Sequence, residues 1–408
     1  MNSYRSYIRI VKHTLSSTLL LMFCLTGPLK GQHTDMLSIR ADFPGGNVLI
    51  ERIHKDTVWI APDTRNISGD WFYWYFSVQS ETDREIHFVF SKHKIPSFGP
   101  AISQDGGETW QWMFDGLNKG MERFSFSFKG GREVRFSIGF PYLQANYDKF
   151  IAQYASHPLV QLDTLCLLKS GRAVPMLHIN NVNVQKKGKV VLTARHHACE
   201  MMASYTLEGM IAAMLETDKF KWLTDHFDIL IIPFVDLDGV ENGDQGKSRT
   251  PRDHNRDYSG KSIHETTRAI REFLPAWVGD DFFVALDLHC PGLVGRDHEL
   301  LYLVGSKAPT FAEEEKRFSH ILSLTSTNGL SFKEKSLLEF GTSWNVGGSE
   351  RLGDSFRTWV QNSFVGAKLV TILEVPYANN EGQRVSIENL ELFGGDLVDA
   401  LEKYLKSL

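Results

Sequence analysis

The chain has 408 residues, 42% of them hydrophobic and 23% charged, with a net charge of −5. That balance supports a packed core and excludes general disorder, and the length suits about two or three domains. With no basic field, nucleic acid and anionic membranes are excluded as main partners.

The N-terminus differs in kind from the rest. Arg5, Arg9 and Lys12 precede an apolar run from Leu15 to Leu25, and then come Gly27, Pro28 and Gly31. This is the layout of a secretory signal peptide, with cleavage expected near Gly27–Gln32. Residues 1–32 are therefore set apart from the fold, and the mature protein is expected to be secreted or periplasmic. The apolar run is too short to span a bilayer, so no membrane span is expected in the mature chain. Phe23 before Cys24 argues against lipoprotein cleavage. Cys166, Cys199 and Cys290 are an odd number and are expected as buried free thiols. Cys199 and Cys290 each adjoin a candidate ligand, so they could also face each other across neighbouring strands.

From Phe43 to about Tyr142 the pattern is β. Trp71 to Phe76 is dense in aromatics, and the segments beginning at Glu85, Arg123 and Glu133 alternate with period two. Pro44-Gly45-Gly46, Asp105-Gly106-Gly107 and Gly130-Gly131 mark turns between them. Short alternating strands at this spacing predict an antiparallel sandwich over residues 33–152. Its aromatics are read as core; Trp110 and Trp112 are the exposed candidates for a sugar-binding platform.

From about Ser156, strands and helices alternate. A hairpin is expected over Val160–Leu168 and Ala173–Val182, followed by a strand at Val190–Ala194 and a helix to Glu216. Asp228–Val235 is an apolar run suited to a strand covered on both faces. Asp236–Tyr258 reads as a long polar loop, a length usually kept for function. Asp236 and Asp238 within it are read as turn formers. Ser262-Ile263-His264-Glu265 has the form of a capping box. Strands are expected at Phe282–Leu288, Leu300–Val304 and Lys368–Val375. Helices are expected from Pro309, over Asp354–Phe364, and from Ser386. Residues 153–408 thus form one α/β unit with a mostly parallel or mixed sheet between helices.

Polar residues cluster at the ends of these strands. His197 and Glu200 follow the first, and an imidazole nitrogen and a carboxylate oxygen together suit Zn2+. With 15 histidines in the chain, one such spacing is expected by chance, so the other strand ends decide. His196 and Glu200 would converge as well if the segment were helical. The loop after the second strand holds Asp253, His254, Asn255 and Arg256. His289 follows the third, and Glu374 lies inside the apolar fourth, where an unpaired carboxylate would not be buried without a cleft. Two His and one Glu leave a metal position open, and a further carboxylate such as Glu374 suits a general base. Arg249, Arg252 and Arg256 are candidate cations where a carbonyl oxygen becomes negative. His254 is expected to be exposed, His298 and Glu299 solvated, and Asp287 a hydrogen-bond partner at its strand end.

The ordered set Arg195-x-His197-x-x-Glu200, Asp238-Gly239-Val240, Asp253-x-Asn255-Arg256, His289 and Glu374 resembles the zinc metallocarboxypeptidases. The likeness runs from about Ser156 to the C-terminus. Phe43-Pro44-Gly45-Gly46-Asn47 and Trp71–Phe76 resemble the sandwich that precedes the catalytic domain in the cytosolic-carboxypeptidase branch. The resemblance implies a mixed, eight-stranded-type sheet with helices on both faces, preceded by the sandwich. It implies one Zn2+ ion on His197, Glu200 and His289, with Asp253 fixing the ring of His197. Glu374 would be base and then proton donor, and Arg249 the carbonyl-polarising arginine, with Arg252 as competitor. Asn255 and Arg256 would hold the free carboxylate of a peptide or protein C-terminus. Two departures stand out. The family's mobile Tyr has Ser343 or Trp344 near its place, ahead of Gly347-Gly348-Ser349. Glu350 would make an acidic pocket suited to Lys or Arg. The expected activity is removal of a C-terminal residue. The alternatives are an amidase or deglutamylase acting on γ-linked or cell-wall peptides, and a sandwich that binds glycan or protein with the zinc domain as scaffold.

Overall fold

The computed structural model describes residues 31–34, 36–91, 94–295, 297–347 and 352–408. The expected leader, apart from Gly31 and Gln32 at the start of a strand, lies outside them, as do Gly348, Ser349 and Glu350.

Phenylalanine at alternate positions builds the N-terminal sandwich. One sheet has six antiparallel strands in the order Gly31–Thr34, Leu37–Arg40, Tyr75–Ser80, Glu133–Ser137, Ala101–Ser103 and Gln111–Trp112. The other has Leu49–His54, Thr57–Ala61, Arg84–Phe90 and Arg123–Phe128, with the middle pair parallel. Phe76 and Phe136 from the first sheet meet Phe88 and Phe124 from the second, at ring separations of 5.3 to 5.6 Å. Burying such rings is the main stabilising term here. Trp112 is buried, its indole N–H donating to Val385 O, and Trp110 packs edge-on against Tyr75. The expectation that Trp112 is exposed is therefore corrected.

Residues 71–74 do not join a sheet; the strand begins at Tyr75. Instead, Tyr73 N donates to Gln245 Oε1 at 2.7 Å, and Gln245 Nε2 donates to Tyr73 O at 2.7 Å. One side-chain amide thus takes both backbone groups that a neighbouring strand would have taken.

The second sheet has eight strands, ordered Val160–Leu167, Ala173–Ile179, Phe227–Ile232, Gly188–Ala194, Phe282–His289, Leu369–Glu374, Tyr302–Val304 and Leu337–Leu338. The four central strands, from Phe227–Ile232 to Leu369–Glu374, are mutually parallel, and the sheet is mixed. They are almost wholly buried, as covered parallel strands require. Helices flank the sheet: Met202–Glu216 packs on Ile387–Lys406, which packs on Pro309–Thr325, while Phe356–Ser363 lies against the strands ending at His289 and Glu374. No helix among the described residues is long and apolar enough to cross a membrane.

The capping box at Ser262 does not form. The helix starts at Glu265, and Ser262 Oγ donates to Asp257 O. Asp257 instead accepts from the backbone N–H of Ile263 and His264, which holds the two residues that lead into the helix. The segment read as one long loop contains a helix, Leu237–Asn242, capped by Asp236, whose carboxylate accepts from Gly239 N at 3.1 Å. Asp238 faces Arg172 at 2.6 Å.

Candidate metal centre and substrate cleft

Parallel strands all deliver their C-terminal ends to one edge, and in such sheets the crevice forms there. His197 and Glu200 follow the strand Gly188–Ala194; His289 ends its neighbour and stands in register with Glu374 on the next. The turn into His197 is tight. Arg195 takes a left-handed φ of 59°, and its guanidinium donates to Ala198 O, Tyr142 O and Ser204 Oγ.

Both histidines turn Nδ1 toward Glu200. His197 Nδ1 lies 2.9 Å from Glu200 Oε1, and His289 Nδ1 lies 2.9 Å from Glu200 Oε2. Each Nε2 faces another carboxylate: Asp253 Oδ1 at 3.8 Å from His197, and Asp287 Oδ2 at 2.6 Å from His289. The donor atoms of His197, Glu200 and His289 all lie within 4.8 Å of one another, as do those of His196, Asp287 and His289. The two groups differ in spare capacity. His196 has both ring nitrogens engaged, by Asp287 Oδ1 and Tyr258 OH, each at 2.8 Å. Asp253 Oδ1 and Glu374 Oε2 are buried without a hydrogen bond, and Glu200 Oε2 is approached by His289 Nδ1. Buried carboxylates gathered around two histidines, with two oxygens left unpartnered, suit a cation.

Charge follows geometry. Burial opposes ionisation of Glu200, but His197, His289 and Lys247 outweigh it and hold its carboxyl well below the usual range. Burial likewise disfavours charge on Asp253, yet His197 brings it down to about 2. Glu374 goes the other way: burial, with Glu200 adding to it, raises its carboxyl despite Lys247 and His289. Two carboxylates pushed apart in this way suit different tasks, one as ligand and one as proton carrier.

Asn255 is buried, with Oδ1 accepting from Phe356 N at 3.0 Å and Nδ2 3.4 Å from His289 Nε2. Arg256 is partly exposed and donates to Asn255 O. Arg249 is held by Asp236 at 2.6 Å and Asp244 at 3.3 Å; Arg252 is held by Asp257 at 2.7 Å. The cation that does reach Glu200 is Lys247, at 2.8 Å.

Other expectations are corrected. His254 is buried, stacked on His264 with centroids 3.8 Å apart. Glu299 is buried against Ser97 and Asn379 because its loop packs under the sandwich. His298 is half-buried and accepts from Gly292 N at 3.2 Å. Cys166, Cys199 and Cys290 are free thiols, as expected, but Cys166 is only partly buried. Trp344 is exposed, and Ser343 Oγ donates to Asp297 at 2.6 Å.

An eight-stranded mixed sheet with His, Glu and His gathered at its strand ends forms a candidate metal centre. Residues 157–294 match the family model described as zinc carboxypeptidase. Among curated proteins it is similar to cytosolic carboxypeptidase 2 of Xenopus tropicalis, 23% identical over 286 residues, 66% of this chain and 28% of that protein. It is also similar to cytosolic carboxypeptidase 3 of Bos taurus, 24% identical over 325 residues, 72% and 31%. The chain thus spans less than a third of the length of these relatives. Among solved structures, a metallo-carboxypeptidase from Burkholderia cenocepacia superposes with a TM-score of 0.73 at 18% identity, covering 91% of this chain and 99% of that one. One from Pseudomonas aeruginosa gives 0.69 at 18%, covering 90% and 99%. These likenesses are of fold.

Proposed function

We propose that the protein is a zinc-dependent carboxypeptidase that removes the C-terminal residue of a peptide, with His197, Glu200 and His289 as the ligands of one ion. The observation that carries this reading is the convergence of His197, Glu200 and His289, whose donor atoms lie within 4.8 Å of one another, beside Glu374, in register with His289 and with a buried, unpartnered Oε2. A zinc ion held there supplies Lewis acidity. Glu374 takes a proton from the attacking water, whose hydroxyl adds to the acyl carbon. As the C–N bond breaks, the same carboxyl returns that proton to the leaving amine. Arg256 offers a planar fork to the free carboxylate, and Asn255 adds an amide donor, which makes cleavage exo rather than endo. The leader-like N-terminus supports a secreted or periplasmic setting.

The test is mass-spectrometric reading of the products from peptides with free and with amidated C-termini. Single C-terminal residues should leave the free peptides only. Replacing Glu374 with Gln should lower kcat by at least about a thousandfold with zinc still bound. Undiminished hydrolysis by that variant would refute the mechanism.

A second reading within the same chemistry is a deglutamylase. It is favoured by Arg357, whose guanidinium donates to Val304 O and, under burial, senses Glu315 first and then Arg256, Asp287 and Glu374. Two cations near one cleft suit a residue with an acidic side chain. A panel of α- and γ-linked glutamyl peptides separates the two readings.

A further inference from the structure

Loop 243–250 is built by the sandwich as much as by the catalytic sheet. Asn47 Nδ2 donates to Gly243 O at 2.7 Å, and Gln245 clasps Tyr73. Ser68 N donates to Ser248 O and Thr250 N to Asn66 O, at 3.1 and 2.9 Å. On its other side the loop lies on the backbone of His197 and Ala198. At Gly246, with φ +80°, a Cβ would stand 2.1 Å from Ala198 N. Lys247 follows. Its Nζ is 2.8 Å from Glu200 Oε1, 2.7 Å from Cys290 O and 5.4 Å from the centroid of the Trp71 ring. The side chain is 11% exposed.

We propose that Lys247 is a catalytic residue, the donor that stabilises the scissile carbonyl oxygen as it becomes negative, and that Trp71 is its positioning residue. This rests on the carboxypeptidase reading above. Three features support it. Arg249 and Arg252, the cations expected for the task, are each committed to buried carboxylates. Lys247 has a third N–H donor beyond those taken by Glu200 and Cys290. Cys290 O and the Trp71 face hold the ammonium at the cleft independently of Glu200, so it stays there when Glu200 serves a metal ion.

The test uses the full chain with a peptide substrate bearing a free C-terminus. Zinc affinity is measured separately, by competition with a chelator. Lys247→Met should lower kcat about 100-fold, the effect of losing one donor to a developing oxyanion, with KM changed less than about threefold. Lys247→Arg should recover part of the loss. Zinc affinity of Lys247→Met should be equal to the parent's or higher, because an ammonium beside Glu200 competes with the ion. Trp71→Leu should lower kcat with KM retained, and Trp71→Phe should restore it. A Lys247→Met enzyme within threefold of the parent in kcat overturns the proposal. So does one that loses zinc and regains full rate when zinc is saturating. If the parent releases no residue from any peptide and behaves as Glu374→Gln does, the carboxypeptidase reading fails and the lysine's role falls with it.

Discussion

Asp287 shows how much one buried carboxylate organises. It lies two residues before His289 on the same strand, so both side chains share a face. One oxygen faces His289 Nε2; the other faces His196 Nδ1 and accepts from Thr193 Oγ1. Tyr258 OH closes the chain on the far side of His196. With Nε2 fixed in this way, Nδ1 of His289 is left for a ligand. Asp287→Asn should weaken zinc binding about 10- to 100-fold in a chelator competition, since outer partners of ligand histidines contribute that much. Unchanged affinity would mean the ring is held by packing alone. His197, Glu200, His289 and Glu374 were readable because each breaks an apolar pattern at or near a strand end. The i, i+2 spacing of Asp287 and His289 was readable too, and it points to this pairing. The place of Lys247 was not readable, because the path of its loop depends on residues nearly two hundred positions away.

At the scale of elements, strands were legible where both faces are buried and the run is continuous. Caps and loops were less so. Ser262 has the residue type and spacing of a cap, yet its hydroxyl donates to Asp257 O, and the Asp257 carboxylate fixes the helix entry by accepting from Ile263 N, His264 N and Thr267 Oγ1. The segment after Asp236 looked wholly irregular since its helix is one short turn-and-a-half, too brief for periodicity to show. Gly246 is the point where this loop meets the His197 turn. Gly246→Ala adds a Cβ 2.1 Å from Ala198 N at a φ that disfavours L side chains, so the loop must lift. Thermal unfolding should show a loss of several kcal/mol, and zinc affinity should fall as Asp253 and His197 separate. A variant of parental stability and affinity would show that the contact is loose.

Across the whole molecule, the segment that links sandwich to sheet also carries a pH response. Tyr142 donates to Glu208 on the helix Met202–Glu216. Burial, assisted by Glu391 and opposed by Tyr142, pushes the Glu208 carboxyl up to about 7. An acid whose folded pKa is raised stays protonated in the folded chain while the unfolded chain has ionised. Stability therefore falls as pH rises from about 4.5 to about 7, and is flat beyond. The loss is at most roughly 3 kcal/mol. Glu208→Gln should flatten that slope in denaturant titrations run across the window; a parental slope in the variant would assign the response elsewhere. The two-layer plan was legible from composition and alternation, but the seam between the layers was not, since backbone-to-side-chain bonds such as Tyr73 to Gln245 leave no periodic trace.

That seam also bears on when the molecule becomes competent. Lys247 reaches Glu200 from a loop pinned on one side by Asn47, Asn66, Ser68 and Tyr73. On the lysine proposal, a chain whose sandwich has not yet seated has ligands but no poised ammonium. Assembly itself is then the safety catch: an incompletely folded copy could gather zinc, yet would be a slow cutter of its neighbours.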